Sequence, residues 1–173
     1  PGYIWMNGAM VEARENGHTE PEASDPDTAG PADEVSSLLD NDVELLDEIR
    51  VTVWYDTDGN AELDDGEPVV LGGDDDPTAN PTLREVLGLL ATGTGIPLDG
   101  LSDPTAPLTD RACFENSTTY YVGVYWELPV DHANQIQSDG VTFDVGFYAE
   151  QCRHNDGTGI DANETVTTEG VTD

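Results

Sequence analysis

The chain has 173 residues and a formal charge of −32, from 37 acidic side chains against 5 basic ones, all arginine. That length suits one domain with a sizeable core, and the sign of the charge argues against nucleic acid or an anionic membrane as partner. Total charge is an ordinary 24%, so the imbalance predicts a protein made for concentrated salt: at about 1 M the Debye length shrinks to roughly 3 Å and self-repulsion fades.

An acidic disordered chain is the alternative, but several segments rich in Val, Tyr, Trp and Phe alternate as strands do. No apolar run is long enough to span a bilayer. The chain opens on PGYIWMNGAMV without a starting Met or signal peptide and reads as processed or truncated material.

Tyr3 to Val11 predicts a strand, and the acid-, Pro- and Gly-rich stretch from about 13 to 34 a long surface loop. Spacing near three and four between Val35 and Leu46 suggests one or two helical turns, broken around Asp40-Asn41. Ile49 to Tyr55 and Pro68 to Leu71 read as strands. Thr82 can cap a helix carrying Leu83, Val86, Leu87, Leu89 and Leu90 on one side, stopped by Gly93 and Gly95. Pro97 to Asp110 reads as an irregular connection. Ser117 to Pro129 predicts a long strand whose aromatic residues, Tyr120 to Trp126, are read as core and cross-strand packing. In a last strand, Val141, Phe143, Val145 and Phe147 share one face. The expected organisation is a single β-sandwich over 1–155, with short helices in its connections and a flexible or exchangeable arm over 156–173.

Within VWYDTDGNAELDDGEPVV, counting Asp56 as position one places Asp58 at three, Asn60 at five, Glu62 at seven, Asp64 at nine and Glu67 at twelve. From these positions an EF-hand loop wraps oxygens around calcium. Position six, which favours Gly, is Ala61, with Gly59 nearby to relieve the backbone, and the flanks are strands. A structural calcium site and a solvated acidic turn both remain open.

Cys113 and Cys152 would stand unpaired in a cytosolic protein. Beside strand-like runs and the sequons Asn116-Ser-Thr and Asn163-Glu-Thr, they are read as a disulfide of an exported protein; Asn80-Pro-Thr is excluded as a sequon by its proline. His18, His132 and His154 lie far apart in loops. No zinc-peptidase helix, serine elbow or phosphate loop is present, and with 37 acids a close carboxylate pair has no diagnostic weight. The sequence gives no positive case for an enzyme.

The run TYYVGVYWELPVDHANQIQSDGVTFDVGFYAEQCRHND, with IRVTVWYDTDGNAELDDGE and the opening segment, resembles haloarchaeal secreted proteins with a SipW-dependent-type signal peptide, similar to the TasA/camelysin family of extracellular fibre subunits. The resemblance is most specific at Trp126-Glu-Leu-Pro, Asn134-Gln-Ile-Gln and Glu150-Gln-Cys-Arg-His-Asn. It implies a jelly-roll β-sandwich, extracellular at the cell surface, whose identical subunits assemble into a biofilm filament or pilus by strand exchange. The family's N-terminal strand is not matched by the opening residues, so the donor strand is expected either to lie outside this sequence or to be supplied differently. A monomeric binding module for a carbohydrate or protein is the rival expectation.

Overall fold

The computed structural model describes residues 1–17, 20–24, 35–36, 43–130 and 134–159. In chain order its elements are β1 (Gly2–Arg14), β2 (Val35–Ser36), α1 (Leu45–Glu48), β3 (Arg50–Asp56), β4 (Val69–Leu71), α2 (Leu83–Leu90), β5 (Ile96–Leu98), β6 (Tyr121–Glu127) and β7 (Gly140–Gln151). The strands form two antiparallel sheets, one of four and one of three, so the fold is mostly β with two short α-helices.

β1 organises the first sheet. Along one edge it pairs with β7 from Gly2↔Gln151 to Arg14↔Gly140. The other edge is shared by β5, opposite Ile4 to Met6, and β2, opposite Ala13 and Arg14. The ladder to β7 slips between Met10 and Glu12; this bulge leaves Val11 unpaired and largely exposed. It also turns Ala13 onto the same face as Met6 and Met10.

The second sheet is β4-β3-β6. β3 is buried from Val51 to Asp56, with Val51, Val53 and Tyr55 joining Met6, Ala13 and Leu98 in one core. α2 packs on both β1 and β3, burying Leu83, Val86, Leu87 and Leu90. Leu89 falls off that stripe and is half exposed. The helix starts with a capping box: the Glu85 N–H donates to the Thr82 hydroxyl at 3.1 Å, and the Thr82 N–H to the Glu85 carboxylate at 2.9 Å. Arg84 donates to the Asp47 carboxylate at 2.8 Å and to the Val43 carbonyl at 3.2 Å, joining α2 to α1.

Several expectations are corrected. Val35 is in a two-residue strand on the end of β1, and the only helix between Val35 and Glu48 among the described residues is α1. Ala13 and Arg14 continue β1 instead of opening the long loop, whose residues 25–34 lie outside the described residues, as do Asp40 and Asn41. Ile96–Leu98, placed partly in an irregular connection, pairs with β1 despite Pro97 because a strand flanked on one side tolerates the missing donor.

On the far face of the first sheet, the Arg111 guanidinium lies 4.4 Å from the Trp5 ring centre and 5.4 Å from that of Tyr3. It donates to the carbonyls of Ile4 (3.1 Å), Leu98 (2.6 Å) and Gly157 (2.8 Å). A Cβ at Gly157 would come within 2.9 Å of the Tyr3 ring, and one at Gly159 within 3.1 Å of Trp5. Packing thus continues past the expected boundary at 155 to Gly159; residues 160–173 of the arm lie outside the described residues.

Candidate functional site

The acidic loop leaves β3 at Asp56 and returns at β4. Asp56 is 6% exposed; its Oδ1 accepts the N–H groups of Gly59 (2.7 Å) and Asn60 (3.2 Å), and its Oδ2 that of Ala61 (3.0 Å). Glu67 folds back so that its Oε1 accepts the Thr57 N–H (2.6 Å) and hydroxyl (3.0 Å). One carboxylate oxygen each from Asp56, Asp58 and Glu67 lies within 4.8 Å of the others, a group that could hold a cation. The donor set is hard oxygen, as a group 2 cation prefers. The other three positions arrange themselves differently. The Asn60 amide donates to Asp64 (2.7 Å) and Asp58 (3.2 Å), and the Glu62 side chain stays exposed while its N–H donates to Asn60 Oδ1 at 2.6 Å.

Both Gly59 (φ 74°) and Ala61 (φ 63°) are left-handed. Ala61 therefore takes the conformation position six requires, at a steric cost of roughly 1–2 kcal/mol, offset in part by the entropy a glycine would lose. Ala61→Gly is expected to stabilise the protein by about 0.5–1 kcal/mol, read as a rise in thermal midpoint.

Burial pushes the Asp56 carboxyl up, but the N–H groups of Ala61, Gly59 and Asn60 together outweigh it and hold it below the ordinary aspartate value. The Thr57 N–H, foremost, holds Glu67 below its ordinary value too. With folded values below unfolded ones, this stabilisation is complete above about pH 5 and disappears as pH falls through the lower folded values. Asp56→Asn is expected to lose stability relative to wild type at neutral pH and to converge with it in acid, measured by denaturant midpoints across pH.

A second carboxylate group was not legible in the sequence. Glu15, Glu44 and Asp139 bring oxygens within 4.8 Å of one another, and Asp139 accepts the Leu45 N–H at 3.0 Å, fixing the start of α1.

A separate, apolar feature is a groove of about 360 Å³ between β6 and β7. Residues directly opposite on paired strands share a face, so Val124 and Trp126 lie beside the core residues Val53 and Val51, and Phe147 beside Met6. The inner strands are covered: Val53 is 0% and Met6 1% exposed. Their neighbours are not: Val124 is 49%, Trp126 62%, Val145 45% and Phe147 60% exposed. α2 covers part of the inner face, and its Leu87 and Leu90 form the groove floor with Met6 and Val53. The outer edges of β6 and β7 pair with no other strand among the described residues. This corrects the expectation that the aromatic run of β6 is packed: Tyr121, Tyr125 and Trp126 are each more than half exposed, and only Tyr120 and Val122 of that run pack against the core.

No family model, curated protein or solved structure matches this chain. Its function is therefore to be read from these sites.

Cys113 and Cys152 form a disulfide, with Cα atoms 6.4 Å apart. It closes over the start of β1, where Gly2 pairs with Gln151 on one side and exchanges backbone hydrogen bonds with Phe114 on the other. Asn116 is exposed on a turn ahead of β6; Asn163 lies outside the described residues, as do His18 and His132. His154 is exposed in the turn after the disulfide. Among the described residues no helix is long and apolar enough to cross a membrane.

Proposed function

We propose that the chain is a structural subunit of an extracellular fibre or pilus of the TasA/camelysin-like kind, in which an extended strand of one copy fills the groove between β6 and β7 of the next. The observation that carries this reading is the uncovered core face of those two strands. Exposed apolar edge strands are normally short, charged or covered; here two of them border one apolar trough. A strand laid into it would satisfy backbone groups along an edge and bury alternate side chains. An eighth strand added beside β6 would give two four-stranded sheets, the strand number of a jelly-roll β-sandwich. The donor is an extended segment of a second copy, either a strand of the N-terminal kind that the resemblance implies or residues 160–173 of the arm. Repeated head to tail, such a contact does not close and yields a filament.

The charge of −32 fits subunits stacked in molar salt outside a halophilic cell, and the disulfide fits an oxidising compartment. In this reading Asp56, Asp58 and Glu67 hold calcium, which would neutralise their mutual repulsion and stiffen the β3–β4 loop. Asn116 and Asn163 carry glycans. The test is electron microscopy of the protein purified in molar salt. Ordered filaments with a subunit-sized repeat are expected. Uniform monomers over a wide concentration range would sink the fibre reading and favour a monomeric binding module.

A further inference from the structure

The opposite face of the second sheet carries a different kind of surface. Because Val122, Val124 and Trp126 face the core side, Tyr121, Gly123, Tyr125 and Glu127 face outward. Tyr121 and Tyr125 are 53% and 52% exposed and, four residues apart on one strand, stand about 13 Å from each other. Between them the Trp54 indole crosses Gly123 so closely that a Cβ there would come within 2.2 Å of its ring. Next to this aromatic row is a cleft of about 410 Å³, floored by Thr52, Trp54 and Asn80 and walled by Glu62, Asp74 and Glu127. Trp54 is only 3% exposed, and its indole N–H has no hydrogen-bond partner among the described residues.

We propose that this face binds a neutral, hydroxyl-rich saccharide chain lying along β6. Half-exposed tyrosine rings offer flat apolar surfaces to the C–H faces of sugar rings. The carboxylates walling the cleft accept hydrogen bonds from sugar hydroxyls. No arginine lines the cleft, so uronates and sulfated sugars meet only repulsion. An amine would be attracted by the carboxylates, but molar salt screens that attraction. The rings also form an open row, where a point cation favours an enclosing cage. The site lies on the other side of the sheet from the groove and stands whether or not the chain forms fibres.

The test is a titration in molar KCl, following the Trp54 indole N–H and tyrosine ring signals by NMR. The probes are hexasaccharides of β-1,4-glucose, α-1,4-glucose and β-1,4-N-acetylglucosamine, with a hexauronate and spermidine as competitors in chemistry. At least one neutral hexasaccharide is expected to shift these signals saturably. Its affinity should fall about tenfold in Tyr125→Ala, the loss of one stacked ring, and stay unchanged in the groove variant Val124→Asp. Because Tyr125 is exposed, its replacement leaves the fold in place, which a thermal melt checks. Three results would each overturn the proposal: no shift with any neutral probe at about 10 mM, where even millimolar affinity is visible; equal binding by Tyr125→Ala; or tighter binding of the hexauronate or spermidine.

Discussion

Val124→Asp combined with Val145→Asp is expected to leave the subunit folded and to abolish filaments. Both side chains are nearly half exposed in the isolated subunit, where a surface substitution usually changes stability by no more than about 0.5 kcal/mol. Beneath a docked strand the same positions are closed off, and an unpaired carboxylate there costs several kcal/mol. Two of them should weaken association by more than about a thousandfold. The circular dichroism melt should match wild type while sedimentation and microscopy report monomers only. Val130→Asp, at a fully exposed position outside the groove lining, should keep its filaments. If the double variant forms filaments as wild type does, the groove is not the acceptor.

Replacing Cys113 and Cys152 together by alanine is expected to destabilise the protein by about 4 kcal/mol, the chain entropy restored to the unfolded state by opening a loop of this length. The two residues are 39 apart in sequence. For a domain of this size, that amounts to a fall in thermal midpoint of roughly 10–15 °C. The loss should begin in the backbone pairing beside the disulfide, because the Cys152 N–H donates to the Pro1 carbonyl at 3.3 Å beside the Gly2–Phe114 exchange. Hydrogen exchange at Gly2 and Phe114 should accelerate before that of β3. An unchanged midpoint would mean that backbone pairing alone holds these segments.

The long elements were legible because each carries a repeated local signal. Alternation in β7 placed Val141, Phe143, Val145 and Phe147 on one face, and Thr82 with the Leu83–Leu90 stripe announced α2. β2 and β5 were not, since two or three residues carry no period and their pairing is decided by what β1 leaves free. The acid spacing from Asp56 to Glu67 was visible, yet only Asp56, Asp58 and Glu67 converge; the Asn60 amide engages Asp64, a competition that ligand spacing does not encode. Composition marked Tyr120 to Trp126 as strand and suggested packing, but whether a face is covered depends on distant segments. Glu15, Glu44 and Asp139 meet only because β1, α1 and β7 converge.

The position of the disulfide has a mechanical consequence. Cys113 precedes β6 and Cys152 follows β7, so these two strands, the connection 128–139 and the S–S bond form one closed covalent circuit bordering the groove. A tug on anything lodged there would try to spread the two strands. The circuit limits how far they can part at either end, so the lodged segment must slide out lengthwise, breaking many contacts together, where an open rim would let it peel away a few at a time.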